Sequence, residues 1–289
     1  MSCPKISIVT PNFNKARYLE KTILSVLSQG YPNLEYVIID GGSADGSVDI
    51  IKKYADRLAY WVSEPDEGVY HAVKKGFEHT TGEIMAWIGS DDMYHPNSFF
   101  TVAQIFTEFP QVSWLEGAQA HYDEEGRTVA VETGPYFNHL SFLMHRYQWI
   151  QQESTFWRRG LYEKAGGIKT DYKLAGDFDL WMRFSRCEKL YVTNALIGGF
   201  RHSEGQLSNN LDLYTSEAND IIAKESVSTE EQEQVKVLKR KERVISCLKK
   251  CKVLNWQAVN RRLMKRYIKE ERQHRICFDL GQKRFVLSE

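Results

Sequence analysis

The sequence predicts an α/β fold with a mostly parallel central sheet flanked by helices. Three observations support this class. Short apolar runs at residues 6–10, 36–39 and 84–88 have the length of buried strands. Segments with helical spacing of apolar residues separate them, as right-handed crossovers between parallel strands require. At 289 residues with 42% hydrophobic content, the chain is long enough to bury such a core.

The predicted elements alternate between strand and helix. The first strand candidate stops at Pro11, and a helix follows in which apolar residues recur from Tyr18 to Leu27 before Gly30 ends the pattern. The second strand closes on a glycine pair, and a further helix runs through residues 50–54. The third strand is bounded by glycines on both sides. This order predicts a nucleotide-binding half in the Rossmann style.

Polar side chains cluster where these strands end. Ligands of open parallel sheets lie beyond the carboxyl ends of the strands. The residues expected at that edge are Asn12, Asn14, Asp40, Asp91 and Asp92. Adjacent carboxylates repel each other, and oxygen ligands favour Mg²⁺ or Mn²⁺ bound together with a phosphate. The alternative for the acidic doublet alone is an ordinary solvated turn.

Four segments in this order resemble the inverting glycosyltransferases of family 2, which have the GT-A fold. The segments are ISIVTPNFN, VIIDGGSADGS, SEPDEGVYHAVKKGF and TGEIMAWIGSDD. The resemblance covers roughly residues 4–210 with order and spacing preserved. It implies transfer of a sugar from a nucleotide-diphosphate sugar, with UDP or TDP donors favoured, to a glycan or lipid-linked glycan in surface polysaccharide assembly.

Carried over to this chain, the family pattern places a donor site along the first strands. It implies a hydrogen bond between Asp40 and the nucleotide base, because a carboxylate can accept from the N3–H of uracil or thymine. Gly42 lets the backbone approach the nucleotide, or serves a tight turn. Lys75 is expected at the diphosphate, with a solvated helix face as its alternative. The loop closing over the nucleotide takes Thr10, Pro11 and Asn14.

The acidic doublet corresponds to the metal motif of the family, usually Asp-X-Asp. The first position of that motif is Gly89 here. Asp91 matches the last carboxylate, the expected direct ligand of Mn²⁺ or Mg²⁺, and Asp92 follows as a second metal residue. One direct carboxylate with phosphates and waters suffices for such a cation.

The segment from Leu174 to Arg183 resembles the part of the family that carries the catalytic base. The usual acidic pair is reduced here, because Gly176 replaces its first member and Asp177 matches the base. Inverting transfer needs one carboxylate to take the proton of the acceptor hydroxyl. The alternative role for Asp177 is to cap the helix that follows it.

Acceptor contacts are expected between and after these motifs. Gln152 and Glu153 are expected to bind sugar hydroxyls, and Trp181 follows the base on the same helix. Arg201 and His202 lie in a segment that resembles the flexible loop closing near the diphosphate. The Gln-X-X-Arg-Trp signature of processive members is missing from the sequence, which favours transfer of a single sugar.

The zero net charge conceals an uneven distribution. Residues 235–275 contain 15 Lys or Arg and three Glu, a net charge of +12, so that the first 234 residues carry −12. We therefore expect a GT-A catalytic domain at 1–216, with a nucleotide-sugar half at 1–95 and an acceptor half at 96–216. A basic helical extension is expected at 217–289.

This basic extension leaves several interpretations open. Its helices suit an anionic membrane surface that holds a lipid-linked acceptor, docking on the acidic catalytic domain, or formation of a homodimer. Nucleic-acid binding is not expected, because it would leave the ordered motifs without purpose. A nucleotidyltransferase that makes the nucleotide sugar is the alternative enzyme, although residues 11–14 lack the basic, glycine-rich loop typical of that class.

Cysteine usage and hydropathy bear on the compartment. Five cysteines are scattered without zinc or disulfide spacing. We expect neither a signal peptide nor a membrane-spanning segment, because residues 6–10 lead directly into the fold and no apolar run approaches 18 residues. We expect a cytoplasmic protein, with peripheral association at the inner face of the membrane as the variant that the basic extension suggests.

Overall fold

The computed structural model describes residues 3–132, 139–145, 149–203, 206–250 and 274–288. Within them the α/β prediction is confirmed, since helices flank a large sheet. None of the described helices combines the length and the apolar character needed to cross a bilayer.

The first part of the chain alternates strand and helix as predicted, with one strand and one helix more than the five elements expected from the sequence. Its seven elements are β1 (Ile6–Asn12), α1 (Ala16–Leu27), β2 (Leu34–Asp40), α2 (Ser47–Lys53), β3 (Tyr60–Ser63), α3 (Val69–Glu78) and β4 (Ile84–Trp87). β1 lies between β2 and β4 and runs parallel to both, and β3 continues the parallel order at the edge. The carboxyl ends of β1, β2 and β4 therefore meet at one edge of the sheet.

The second part adds strands in mixed directions. Its elements are β5 (Met93–Tyr94), α4 (Ser98–Glu108), β6 (Trp114–Tyr122), β7 (Thr128–Glu132), α5 (His139–Leu143), β8 (Thr155–Arg158), α6 (Arg159–Lys164), α7 (Gly176–Cys187) and β9 (Tyr191–Arg201). β8 is antiparallel to β4 on one side and to β6 on the other, whereas β6 and β9 are parallel. The sheet as a whole is mixed, and β1 to β4 form a run of parallel strands within it.

The end of the chain contributes two helices and a hairpin. α8 (Leu211–Lys224) and α9 (Thr229–Lys250) are followed, beyond the undescribed residues 251–273, by β10 (His274–Asp279) and β11 (Arg284–Ser288). β10 pairs in parallel with β9, so the strand order is β11-β10-β9-β6-β8-β4-β1-β2-β3.

This arrangement corrects the expectation that residues 217–289 are a helical extension. The last described residues form strands because Ile276 and Phe285 bury their side chains against the core, which a free helix would leave in water. α8 also runs across position 216, where the sequence placed a boundary. The middle of the basic segment, residues 251–273, lies outside the described residues.

Aromatic side chains fill the core between the sheet and α7. Trp181 stacks on Trp87 at 5.7 Å with an interplanar angle of 7°, and on Trp114 at 5.8 Å with an angle of 25°. Trp157 packs edge-on against the ring of Trp181, with the ring centroids 5.6 Å apart. Aromatic pairs in these geometries gain attraction beyond the burial of their area. The cluster fixes α7, and with it Asp177, against the sheet.

Candidate active site

The acidic doublet lies in the turn that follows β4. The side chain of Asp91 is 13% exposed, whereas Asp92 is buried. A Cβ atom placed on Gly89 would stand 2.8 Å from Asp92 Oδ2 and 3.2 Å from Asp91 Oδ1. The two carboxylates therefore face one point beside Gly89, and any side chain there would fill it. Oxygen atoms converging in this way are the donor set that Mg²⁺ or Mn²⁺ prefers, so these residues fit a divalent cation.

Arg201 holds this turn from the end of β9. Its backbone N–H donates to Asp92 Oδ1 at 2.8 Å, and its Nε donates to the carbonyl oxygen of Asp91 at 2.5 Å. The guanidinium is fully buried and lies over the ring of Tyr18 at 5.1 Å. The resemblance led us to expect Arg201 near the diphosphate, and the structure places it under the acidic doublet.

Lys15 lies beside the exposed member of the doublet. Its Nζ donates to Asp91 Oδ2 at 2.8 Å. Within the described part of the chain, no group of three or more His, Cys, Asp or Glu side chains is arranged to hold a metal. A cation at this turn would thus take its remaining ligands from phosphates and water, as Mg²⁺ usually does.

Burial and neighbouring carboxyls also affect the pKa of Asp92, the second carboxyl of the doublet. Desolvation, and then the nearby carboxyls of Glu153 and Asp91, raise the pKa of Asp92 well above its usual range. A divalent cation at this edge would reduce that repulsion.

Asp40 lies at the end of β2 and has no exposed surface. Its Oδ1 accepts from Asn12 Nδ2 and from the Ser43 hydroxyl, each at 2.6 Å, and its Oδ2 accepts from the Ser63 hydroxyl at 2.6 Å. Backbone N–H groups of Gly42 and Ser43 add two more hydrogen bonds. Desolvation raises the pKa of Asp40, but these hydrogen bonds outweigh it and the pKa is lowered. Because a carboxylate has about four lone-pair sites, a nucleotide base would have to replace one of these donors.

The other predicted donor residues surround this network. Thr10 and Pro11 are buried in β1, and the Thr10 hydroxyl lies 3.0 Å from that of Tyr36. Asn14 adopts φ 51° after the strand, and its Oδ1 accepts from the backbone N–H of Ala44. Gly42 has φ 82°, a left-handed conformation that favours glycine, so the turn itself explains the glycine at this position. Together these residues join the two loops at the edge of the sheet.

Lys75 pairs with a carboxylate outside the acidic doublet. It is in the last turn of α3 and forms an ion pair with Glu64. Its predicted contact with a diphosphate would require this pair to open.

Asp177 is the second residue of α7, and its carboxyl is in a buried environment. Its Oδ1 accepts from the backbone N–H of Phe178 at 2.8 Å and lies 3.1 Å from the hydroxyl of Tyr70. Burial raises the pKa of Asp177 to about 6, although these hydrogen bonds oppose the rise. A carboxyl with this pKa is ionised at neutral pH yet more basic than an exposed aspartate, which suits a general base.

The loop that leads into α7 is held by α8. Glu217 Oε2 accepts from the backbone N–H groups of Leu174 at 2.8 Å and Ala175 at 2.9 Å. Its Oε1 accepts from Lys173 N at 3.0 Å. Glu217 thereby satisfies N–H groups of the loop just before α7, the last of them on its N-cap residue Ala175. α8 is therefore a support of the candidate site rather than part of a separate extension.

Glu153 is a buried carboxyl in the turn before β8. Desolvation raises the pKa of Glu153 to about 8, and the charges of Asp177 and Asp91 add to the rise. Its Oε1 is buried without a hydrogen-bond partner among the described residues.

The remaining predicted residues, from the acceptor side and from the loop near the diphosphate, differ in what they contact. Gln152 donates from Nε2 to the carbonyl oxygen of Trp87, at the end of β4, and so lies beside the doublet strand. Trp181 is only 2% exposed and has other rings on its faces, so the structure gives it a packing role. His202 is exposed, and its Nε2 lies 3.0 Å from His121 Nδ1.

Several residues of the site were not assigned from the sequence. These are Lys15, Ser63, Tyr70, Gln206 and Glu217. Their partners are distant in the chain, so only the folded arrangement identifies them. A sequence signal existed for Ser63 and Tyr70, because both lie in the segment SEPDEGVYHAVKKGF that carried the resemblance.

The sequence profile of Glycosyl transferase family 2 matches residues 7–186. The chain belongs to this family. The match includes β1 to α7 and thus both the acidic doublet and Asp177. It favours a sugar transferase over the nucleotidyltransferase alternative.

Relatives of this glycosyltransferase come from several bacteria. An uncharacterized glycosyltransferase of Rickettsia typhi is 24% identical over 223 residues, which cover 71% of this chain and 66% of that protein. An uncharacterized glycosyltransferase of Mycobacterium tuberculosis is 30% identical over 197 residues, covering 66% of this chain and 73% of the relative. The chain thus spans about two thirds to three quarters of these relatives.

Solved structures confirm the GT-A fold of this family 2 glycosyltransferase. S. aureus TarS 1-349, in complex with UDP-GlcNAc, superposes with a TM-score of 0.65 at 19% identity, covering 80% of this chain and 70% of that one. The mannosyltransferase PcManGT from Pyrobaculum calidifontis, in complex with GDP-Man and Mn²⁺, has a TM-score of 0.59 at 17% identity, covering 81% and 68%.

Proposed function

We propose that this glycosyltransferase is a metal-dependent inverting enzyme that moves a single sugar from a nucleotide-diphosphate sugar to a hydroxyl of a glycan or lipid-linked glycan. One observation carries the proposal: Trp181 of α7 stacks on Trp87 at the end of β4, with the ring centroids 5.7 Å apart. The helix that presents Asp177 is thus packed on the strand that leads into the acidic doublet, which supports one shared site for the metal-holding carboxylates and the base, as direct displacement requires.

In this mechanism Asp177 takes the proton of the acceptor hydroxyl. The acceptor oxygen forms a bond to the anomeric carbon as the bond from that carbon to the diphosphate oxygen breaks, which inverts the anomeric configuration. Asp91 and Asp92 would hold a divalent cation, which when bound would supply stabilisation of the negative charge on the departing diphosphate. Arg201 keeps the doublet in place, since it binds both members of the turn.

The donor contacts of the proposal come from the first two strands. Thr10, Pro11, Asn14 and Gly42 shape the loops around Asp40, whose hydrogen-bonded carboxylate orders the pocket for the base. UDP and TDP are the favoured nucleotides, because the N3–H of their bases can donate to a carboxylate. The UDP-GlcNAc bound by TarS and the GDP-Man bound by PcManGT define the first donors to test.

Gln152 and Glu153 line the acceptor side, because they share a turn that is hydrogen-bonded to the end of β4. We place the protein in the cytoplasm, with the basic segment at residues 235–275 bringing it to the inner face of the membrane. A role in surface polysaccharide assembly follows from the family resemblance.

Two substitutions of the same chemical type separate the two carboxylates of the proposal. We expect Asp177→Asn to abolish transfer and to keep donor binding, because the amide cannot take a proton. We expect Asp91→Asn to lose the stabilisation that needs donor and metal together. Thermal shifts with UDP-, GDP-, TDP- and CMP-sugars, with and without Mn²⁺, measure binding, since a ligand of the folded state raises the Tm.

Turnover is measured as release of nucleoside diphosphate from the donor that this panel identifies. Transfer by Asp177→Asn at the wild-type rate would show that the base is assigned wrongly. No metal-dependent shift with any donor would contradict the metal assignment.

A further inference from the structure

Tyr70 connects α3 to the start of α7. Its ring is 7% exposed, and its hydroxyl lies 2.7 Å from the carbonyl oxygen of Leu174 and 3.1 Å from Asp177 Oδ1. Both acceptors belong to the loop and first turn that present the base, and α3 borders the donor half of the sheet.

Gly176 makes this contact sterically possible. A Cβ atom at position 176 would lie 2.6 Å from Tyr70 Cδ2 and 2.7 Å from its Cε2 and Cγ. These distances are shorter than any van der Waals contact between carbon atoms. The family pattern usually has an acid where this chain has Gly176, and here the ring of Tyr70 occupies the space that a side chain would use.

The Tyr70 hydroxyl has one proton for two acceptors. Its shorter distance is to the neutral carbonyl of Leu174. Hydrogen bonds to an ionised acceptor are roughly twice as strong as those between neutral groups. The proton therefore favours Asp177 when that carboxylate is ionised and Leu174 once the carboxyl has gained a proton.

The two hydrogen bonds on the Asp177 carboxylate end on the same oxygen. Within the described part of the chain, Oδ1 accepts from Phe178 N and from Tyr70. Two hydrogen bonds to one oxygen fix the orientation of the carboxyl plane and leave Oδ2 for the substrate.

We propose that Tyr70 is a positioning residue for the base: it holds Asp177 Oδ1, so that Oδ2 takes the proton of the acceptor hydroxyl, and Gly176 is required for the close approach of its ring. This inference deepens the proposed function and rests on it. Tyr70 contacts the base and not the sugar, so its loss affects the chemical step rather than donor binding.

The pH dependence of Asp177 reports this contact. The groups around its carboxyl are Tyr70 from α3, Glu153 from the turn before β8, and Tyr214 and Glu217 from α8. Desolvation raises the pKa of Asp177, whereas the hydrogen bond from Tyr70 lowers it. Removing the hydroxyl therefore raises the pKa further and moves the acid limb of the kcat profile to higher pH.

The first test is Tyr70→Phe, which keeps the ring and removes the hydroxyl. We expect kcat to fall about tenfold with little change in the KM for the donor, and the acid limb to rise by about half a pH unit or more. Tyr31→Phe is the matched control, because the Tyr31 hydroxyl also donates to a backbone carbonyl at 2.7 Å, that of Pro4. The control should leave both kcat and the acid limb unchanged.

The second test is a double-mutant cycle of Gly176→Ala with Tyr70→Ala. We expect Gly176→Ala to lower kcat strongly in the wild-type chain, because the new methyl group displaces the ring. It should add little loss in the Tyr70→Ala background, where the ring is gone. Equal losses in both backgrounds would overturn the proposal, and this comparison does not depend on the folding of Tyr70→Phe.

The outcomes separate this inference from the proposed function. If Tyr70→Phe keeps wild-type kcat and pH profile while Asp177→Asn is inactive, Tyr70 does not position the base and the proposed function stands. If Asp177→Asn itself retains turnover, the proposed function fails first. A shift of the acid limb in Tyr70→Phe, with no shift in the control Tyr31→Phe, supports both the positioning role of Tyr70 and the proposed function.

Discussion

Glu116 is a buried carboxyl on β6 that the proposed chemistry does not use. It has no exposed surface, and its Oε1 accepts from Gln119 Nε2 at 2.8 Å and from Gln151 N at 2.9 Å. Burial raises its pKa from 4.5 to about 7. The folded chain therefore holds this proton more tightly than the unfolded chain, so the contribution to stability is complete below pH 4.5 and is lost as the pH rises through 7.

We expect Glu116→Gln to raise the free energy of unfolding at pH 8 and to change it little at pH 4, because the amide keeps an acceptor oxygen and never ionises. The upper limit is about 3 kcal/mol, from the difference between the two pKa values. Urea unfolding at the two pH values measures it, with Glu132→Gln on the exposed strand β7 as control. Equal stability changes at both pH values would contradict the assignment.

At the scale of elements, the hairpin of β10 and β11 completes the sheet. It covers the edge of the first residues of β9, 191–193, in the strand that ends at Arg201 and so supports the acidic doublet. An uncovered edge of that kind would pair with other chains. The hairpin thus connects the far end of the sequence to the stability of the candidate site.

We expect Ile276→Ala, which truncates a fully buried side chain of β10, to lower the free energy of unfolding by about 2–4 kcal/mol. Leu280→Ala, in the turn and 85% exposed, should change it by less than about 0.5 kcal/mol. Thermal and urea unfolding compare the two. Similar losses for both variants would show that the hairpin is not docked on the sheet.

At the scale of the whole molecule, the charge is divided between an acidic catalytic part and a basic segment. The start of α9 contacts the catalytic part, where Arg186 of α7 forms ion pairs with Glu225 and Glu231, each at 2.6 Å. Further along α9, Lys239, Arg240 and Arg243 are exposed. Each basic side chain near an anionic membrane contributes about 1 kcal/mol to binding.

We expect the full chain to bind vesicles that contain phosphatidylserine at low salt and to release them as salt rises. Replacing Lys239, Arg240 and Arg243 by Gln should weaken binding by about 100-fold. The control replaces three exposed basic residues of the catalytic part, Lys52, Arg127 and Lys164. Cosedimentation measures both, and equal affinity of the two variants would reject a membrane role for α9.

The sequence by itself determined the α/β class, the family, and five of the seven elements up to β4; β3 and α3 were not predicted. The features that it determined follow from local information, because apolar periodicity and turn residues act over a few positions. It also predicted that Asp91 and Asp92 follow β4 and that Asp177 begins a helix, since each lies directly beside an element boundary. Their catalytic and metal roles remain predictions from the family resemblance.

Only the tertiary structure decided what these residues contact. Asp40 accepts from Asn12 and Ser63, Trp181 lies among the core rings, Glu217 holds the loop before α7, and β10 joins β9. In each case the partner is remote in the chain, and a hydrogen bond or ring contact depends on distances that local sequence does not encode. Tyr70 shows this most clearly, because its place beside Asp177 exists only where Gly176 leaves the space.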